Sequence, residues 1–264
     1  PDLAAIERQF HHLVRTVPGG GRLLVNGEDA NLARVLEMGC WTPVERFGIE
    51  GDFDWNARLI EADGSVFEVL HRGASVGTVH WPLLGRHNVM NALGALAACA
   101  AVGVELGKVI PSLTAFNSVK RRMERVGEVD DIVVYDDFAH HPTAIATTLA
   151  GLRASAPAGR IVVAMEPRSN SMRLGAHADA LAPAFDDADA VVFLHRPELA
   201  WDAAKVVSAV RGQAVAVADV EALVAELLER VGPGDRVVFM SNGGFDAAPR
   251  RFFQALQAAR AENG

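Results

Sequence analysis

Along the second half of the chain, short apolar runs alternate with stretches in which apolar residues recur every three or four positions. The runs are "DIVVYDD", "RIVVAMEP", "AVVFLH", "QAVAVA" and "DRVVFMSN". Between them lie "PTAIATTLAGLRAS", "GAHADALAPAFDDA", "WDAAKVVSAVR" and "VEALVAELLERV", and "PRRFFQALQAARAE" closes the series. Unbroken apolar runs of this length suit strands buried on both faces, and the longer spacing suits amphipathic helices. Their alternation predicts an α/β, Rossmann-like domain: a mostly parallel sheet covered by helices on both faces.

The first part has a different rhythm. It predicts a helix over about Asp2 to Val17, a strand at "RLLVN" and a helix at "ANLARVLEMG". Four strand-like stretches follow, "TPVERFG", "WNARLIEA", "SVFEVLHR" and "ASVGTVHWPL", which are expected to form antiparallel hairpins. A helix from Asn88 to Val102 and the segment "LGKVIPSLTAF" complete it. The boundary falls near Phe116 to Val119, dividing an incomplete α/β domain, 1–117, from the βα repeat, 118–264.

Composition narrows the class. The chain has 264 residues, 50% hydrophobic and 22% charged, enough for one large or two modest cores. A formal net charge of -8 argues against a nucleic-acid or membrane-surface partner, which would require clustered Lys and Arg. The one basic cluster, "KRRMER" at Lys120 to Arg125, is too short to change that. Cys40 and Cys99 lack metal-type or redox spacing, which fits a reducing compartment, and a cytoplasmic location is expected. The stretch Val89 to Val104 is too short and too interrupted for a spanning helix. The chain opens at Pro1 rather than Met and is read as part of a longer protein.

The candidate chemistry sits where strands end. In open α/β sheets, ligands bind beyond the carboxyl ends of the strands. "IVVY" runs into Asp136, Asp137, His140 and His141; "IVVAM" into Glu166, Arg168, Ser169 and Asn170; "VVFM" into Ser241, Asn242, Gly243 and Gly244. Any one cluster could be an ordinary polar loop or a helix cap. Three on one edge of a parallel sheet point to a site. Pro142 suits the first turn of the next helix, whose free amides favour an anion. A metal held by Asp136, Asp137, His140 and His141 matches no recognised ligand spacing, so no metal ligand is assigned. "GVELGKV" is not a phosphate-binding loop, because Val109 stands where a hydroxyl is needed. No dinucleotide glycine fingerprint and no nucleophile elbow occur. In "GRHNVMNALGALAAC", Asn88 and Asn91 share one face of a helix near its first turn, and their amides suit a base edge. Helix capping by Asn88 is the simpler reading of that stretch alone.

Taken in order, "GRHNVMNALGALAA", "RRMERVGE" and "YDDFAHHPTAI" resemble the markers of the Mur ligase family, the ATP-dependent amide-forming enzymes of peptidoglycan synthesis. "FHHLVR", "MGCW", "EPRSNSM" and "MSNGGF" resemble a tripeptide-using branch of it, and the resemblance extends over nearly the whole chain. It implies that 1–117 is the later portion of a central ATP-binding domain and 118–264 an acceptor-binding domain. By the same resemblance Asn88 and Asn91 would hold adenine, Arg122 the phosphates and Asp137 the ribose, with His141 close to the nucleotide. Arg168, Asn170, Ser241 and Asn242 would face the acceptor. The implied substrates are ATP with Mg2+, UDP-N-acetylmuramate and the tripeptide L-Ala-γ-D-Glu-meso-diaminopimelate. ATP would convert the muramate carboxyl to an acyl phosphate, which the L-Ala amine attacks.

Two departures qualify the likeness. The family's phosphate-binding loop, UDP-sugar domain and magnesium ligands would precede Pro1, so no catalytic residue is assigned within these residues and the chain alone is expected to be inactive. After "SNGGF" the family pattern continues with a Gly-rich turn and a His, whereas here Asp246-Ala247-Ala248-Pro249-Arg250 follows, which bears on the acceptor. The competing readings are a non-catalytic α/β binding or regulatory module, a family member adding a single amino acid, and a nicotinamide-dependent oxidoreductase.

Overall fold

The computed structural model describes residues 2–169, 172, 174–175, 178–197, 199 and 201–261. The chain divides into two units, Pro1–Asn117 and Ser118–Gly264. Among the described residues no helix is long and apolar enough to cross a membrane.

The first unit comprises α1 (Leu3–Thr16), β1 (Leu23–Asn26), α2 (Ala30–Glu37), β2 (Val44–Gly48), β3 (Trp55–Leu59), β4 (Val66–His71), β5 (Ala74–His80), α3 (Arg86–Ala101) and α4 (Leu106–Thr114). Its sheet has the order β1-β2-β3-β4-β5. Asp2 and Asp29 cap α1 and α2 by accepting from first-turn amides. On α3, Val89, Ala92, Leu93, Leu96 and Ala97 recur three and four apart, and this stripe packs into a core with Trp55, Phe67, Val69 and Val79.

One expectation is corrected here. β3, β4 and β5 do form antiparallel hairpins, but β2 runs parallel to β3. Adjacent parallel strands ordinarily need a long crossover. These two overlap only at Phe47 beside Trp55 and Gly48 beside Asn56, so the chain need only step sideways where β2 ends. The step is packed around Phe53. Its ring lies in a slot walled by Gly27, Gly48 and Gly51, where a Cβ on any of the three would overlap the ring.

The second unit comprises β6 (Glu124–Val129), β7 (Ile132–Asp137), α5 (Pro142–Ser155), β8 (Ile161–Met165), α6 (Ala178–Leu181), β9 (Ala190–Leu194), α7 (Ala203–Ala209), β10 (Gln213–Val217), α8 (Val220–Arg230), β11 (Arg236–Met240) and α9 (Ala248–Ala261). The sheet order is β10-β9-β8-β11-β7-β6, with every pair parallel except β6 and β7. β8 and β9 are buried along their whole length, as their unbroken apolar runs require. β6 is an edge strand that the sequence pattern did not reveal. Its register shifts between Arg125 and Gly127, and Gly127 is bare because Phe253 of α9 packs where a side chain would stand. The helical pattern "GAHADALAPAFDDA" is shorter than expected: α6 stops at Leu181, and a 3-10 turn over Pro183–Phe185 replaces its continuation. Pro183 has no amide to donate to a longer helix.

A partly exposed clamp ties this sheet to α5. Arg153 donates to the carbonyls of Gly159 (2.6 Å) and Asp187 (2.9 Å) and to the Asp189 carboxylate (2.5 Å), which also accepts from the Ile161 amide (2.7 Å). Burial alone would raise the Asp189 pKa, but the Ile161 amide and Arg153 together outweigh it and hold the group below its ordinary value. A depressed carboxylate contributes stability above its unfolded pKa and loses it as pH falls through the folded one. Asp189→Asn is therefore expected to cost about 1 kcal/mol near neutrality, discounted for partial exposure, with the deficit closing below about pH 4. Thermal melts of both proteins from pH 3 to 7 check this; a deficit independent of pH contradicts it.

Candidate functional site

The parallel register brings the polar clusters together. Met240 lies beside both Asp137 and Met165, and Met165 beside Phe193. The residues that follow β7, β11, β8 and β9 therefore emerge along one edge of the second unit, in that spatial order.

At the β7 end, Asp137 is 3% exposed and turned inward. Its Oδ2 accepts from the Met123 amide and its Oδ1 from the Ala139 amide, both at 2.7 Å. It thus anchors the segment 118–123, in which Ser118, Arg121 and Met123 all take positive φ, a conformation uncommon outside glycine. Asp136, half-buried, pairs with Arg121 (3.2 Å). Burial raises its pKa more than Arg121 lowers it. Arg122 is exposed, with its guanidinium 5.2 Å from the centre of the Phe138 ring; Arg121 lies over the same ring at 5.6 Å. The His140 ring meets Phe138 edge-on, and its Nδ1 is 2.9 Å from the Phe138 carbonyl. His141 caps α5, accepting the Thr143 amide at Nδ1 (3.3 Å), which leaves the ring proton on Nε2.

At the β11 and β8 ends, Ser241 is fully buried. Its hydroxyl donates to Glu166 Oε2 (2.6 Å) and accepts from the Gly243 amide (2.9 Å). Glu166 is only 2% exposed and accepts from Arg196 at 3.0–3.1 Å. Such a carboxylate is tolerable out of water only with partners of this kind. Arg168 is half-exposed, 3.8 Å from Glu166, and lies flat against Gly243, where a Cβ would overlap it. Arg196 also binds Asp246 (2.6 Å), and this bond chiefly holds the Asp246 carboxyl below its ordinary pKa. Phe245, Asp246 and Ala247 form a left-handed turn. Asn242 keeps a shielded side-chain oxygen without a hydrogen-bond partner among the described residues. Glu166, Arg168, Leu194, Arg196 and Asp246 line a pocket of about 260 Å³. Asn170, expected in this site, lies outside the described residues.

In the first unit, Asn88 and Asn91 stand in the opening turns of α3. The Asn88 side-chain NH2 donates to the Leu84 carbonyl (2.7 Å), leaving its oxygen as acceptor; Asn91 is exposed. Among the described residues no three or more His, Cys, Asp and Glu are grouped as a metal site.

Arg196 and Arg121 were not singled out from the sequence, and Asp246 stood out only as part of a departure from the family pattern. Arg196 carried a usable signal: "HR" follows an apolar strand run, as the other polar clusters do.

Residues 1–99 match the family model described as Mur ligase middle domain, and residues 121–243 that described as Mur ligase, glutamate ligase domain. The chain is 43% identical over 262 residues to the UDP-N-acetylmuramate–L-alanyl-γ-D-glutamyl-meso-2,6-diaminoheptandioate ligase of Escherichia coli K12, covering 99% of this chain and 57% of that protein. The Haemophilus influenzae protein of the same name is 40% identical, with 97% and 56% covered. The crystal structure of a murein peptide ligase from Psychrobacter arcticus superposes with a TM-score of 0.71 at 39% identity, over 96% of this chain and 55% of that one. The chain thus spans somewhat over half the length of the curated relatives it matches.

Proposed function

The chain belongs to the Mur ligase family, and from that premise we propose that it supplies the acceptor-binding part and a portion of the nucleotide-binding part of a ligase joining UDP-N-acetylmuramate to L-Ala-γ-D-Glu-meso-diaminopimelate. The reaction consumes ATP: the muramate carboxylate attacks the γ-phosphorus, ADP departs, and the peptide amine displaces phosphate from the acyl phosphate to form the amide. The family uses ATP with Mg2+. No residue of this chain is assigned to the ion, because Asp136 is paired with Arg121 and Asp137 is occupied by backbone amides.

Asn91 and the free oxygen of Asn88 suit the donor and acceptor edge of adenine. Arg122 offers phosphate oxygens a planar fork that has no ion pair among the described residues, and His141 stands beside the positive end of α5. Asp137 acts on the ribose side chiefly by holding the segment that carries Arg122. The observation that most supports the acceptor reading is the pocket itself. Arg168 has spare donors for a carboxylate, Asp246 is an ionised partner for an ammonium, and buried Glu166 holds the arginines from beneath. A peptide ending in a free amino acid presents both charges. The Asp246 that departs from the family pattern is then a recognition group.

The test is an ATP-dependent phosphate-release assay on the full-length ligase with UDP-N-acetylmuramate. Turnover is expected with the tripeptide and at least about 100-fold weaker kcat/KM with free L-alanine, which lacks the far charges. Equal use of L-alanine would favour single-residue addition. Tight binding without phosphate release would favour a non-catalytic module.

A further inference from the structure

The strand ends are joined by a continuous line of polar contacts. Asp136 accepts from Arg121 Nε (3.3 Å), and the same guanidinium donates through Nη2 to the Ser241 carbonyl. The Ser241 hydroxyl donates to Glu166, Glu166 accepts from Arg196, and Arg196 reaches Asp246. The line therefore crosses β7, β11, β8 and β9 in their spatial order. Arg121 stands next to its Asp136 end. It is not among the residues lining the acceptor pocket, and its backbone is held in place on both sides: its carbonyl accepts from the Phe138 amide and its amide donates to the Glu124 carboxylate. Only one group in the line, the Ser241 backbone and hydroxyl together, links the nucleotide side to the acceptor side. Shift Ser241, and Glu166 loses the hydroxyl that satisfies one of its two buried oxygens.

Resting on the acceptor reading above, we propose that Arg121 is a positioning residue for the acceptor: by gripping Asp136 and the Ser241 carbonyl, it fixes Ser241 on Glu166 and thereby aims Arg168 and Arg196. Acceptor recognition then depends on a residue of the nucleotide side that touches no acceptor atom. Coupling of this kind is carried by contiguous packed and hydrogen-bonded groups, and it is reciprocal between the two ends.

The experiment is calorimetry on the 264-residue chain with two probes, the synthetic tripeptide and the same peptide with its diaminopimelate carboxylates amidated. The ratio of the two affinities reports how well the arginines are aimed, a quantity that general loosening of the fold does not selectively change. Arg168→Met serves as control and is expected to bring the ratio close to one. Arg121→Met and Ser241→Ala are each expected to cut the ratio at least about five-fold, the scale of an ordinary intersite coupling. If Arg168→Met collapses the ratio while Arg121→Met and Ser241→Ala keep the wild-type value, the positioning role is overturned and the acceptor site stands. If the wild-type chain binds neither probe, or Arg168→Met leaves the ratio unchanged, the acceptor reading fails and takes this inference with it. Should Arg121→Met not fold, Arg121→Lys takes its place, since it keeps the charge and stem but cannot grip Asp136 and the Ser241 carbonyl together, and it is expected to cut the ratio in the same way; a wild-type ratio in Arg121→Lys overturns the role.

Discussion

Arg122→Ala in the full-length ligase is expected to lower kcat/KM for ATP about 30- to 1000-fold, a loss of roughly 2–4 kcal/mol of transition-state stabilisation, with the fold intact. The guanidinium is exposed, has no ion pair among the described residues, and is steadied only by the Phe138 face. Its donors are therefore available to a phosphate, and little of the protein depends on them. Arg122→Lys should recover part of the activity, since it restores charge without the planar fork. Asp137→Ala is a less selective test of the same site, because it also releases the amides of Met123 and Ala139. Steady-state kinetics at varied ATP, with a melting curve as control, decide the matter. An Arg122→Ala enzyme with wild-type ATP dependence would remove Arg122 from the nucleotide site.

Phe239→Ala is expected to destabilise the second unit by about 3–5 kcal/mol, the range for deleting a fully buried aromatic ring. β11 lies between β7 and β8, so Phe239 sits mid-sheet rather than at an edge that can relax. Its ring is fully buried and packs against Phe245 and Phe252, with centroids 5.7 and 5.6 Å away. The same ring supports the site, because Phe245 begins the left-handed turn that carries Asp246. Urea denaturation followed by far-ultraviolet circular dichroism measures the loss. A cost below about 1 kcal/mol would mean that α9 collapses into the cavity, contrary to the packing described.

How much of this was legible in the sequence varied with the kind of burial involved. The strands β7, β8, β9 and β11 announce themselves because both faces are covered, leaving runs such as "IVVAM" without polar interruption. β6 does not, since an edge strand reading "ERVGEV" meets solvent on part of its surface and carries charge accordingly. The parallel step from β2 to β3 was hidden for another reason: local pattern specifies strands, whereas pairing direction there depends on where Phe53 lodges. In the site, the sequence showed residue types at strand ends but not which way each side chain turns. Asp137 and Ser241 are buried and bonded within the protein, while Asp246, read as a departure from a family pattern, lines the pocket.

The slot around Phe53 makes Gly27, Gly48 and Phe53 heritable only as a set. Alanine at Gly48 is excluded while a phenyl ring stands at 53, yet the clash disappears once residue 53 is small, so the effect of one substitution changes sign with the other. A screen that varies one position at a time would score Gly27, Gly48 and Gly51 as immutable. Lineages that once exchanged the ring for a short side chain would lose the clash at Gly27 and Gly48, while Gly51 would stay glycine because of its φ of +124°, and the return path to Phe53 would close behind them.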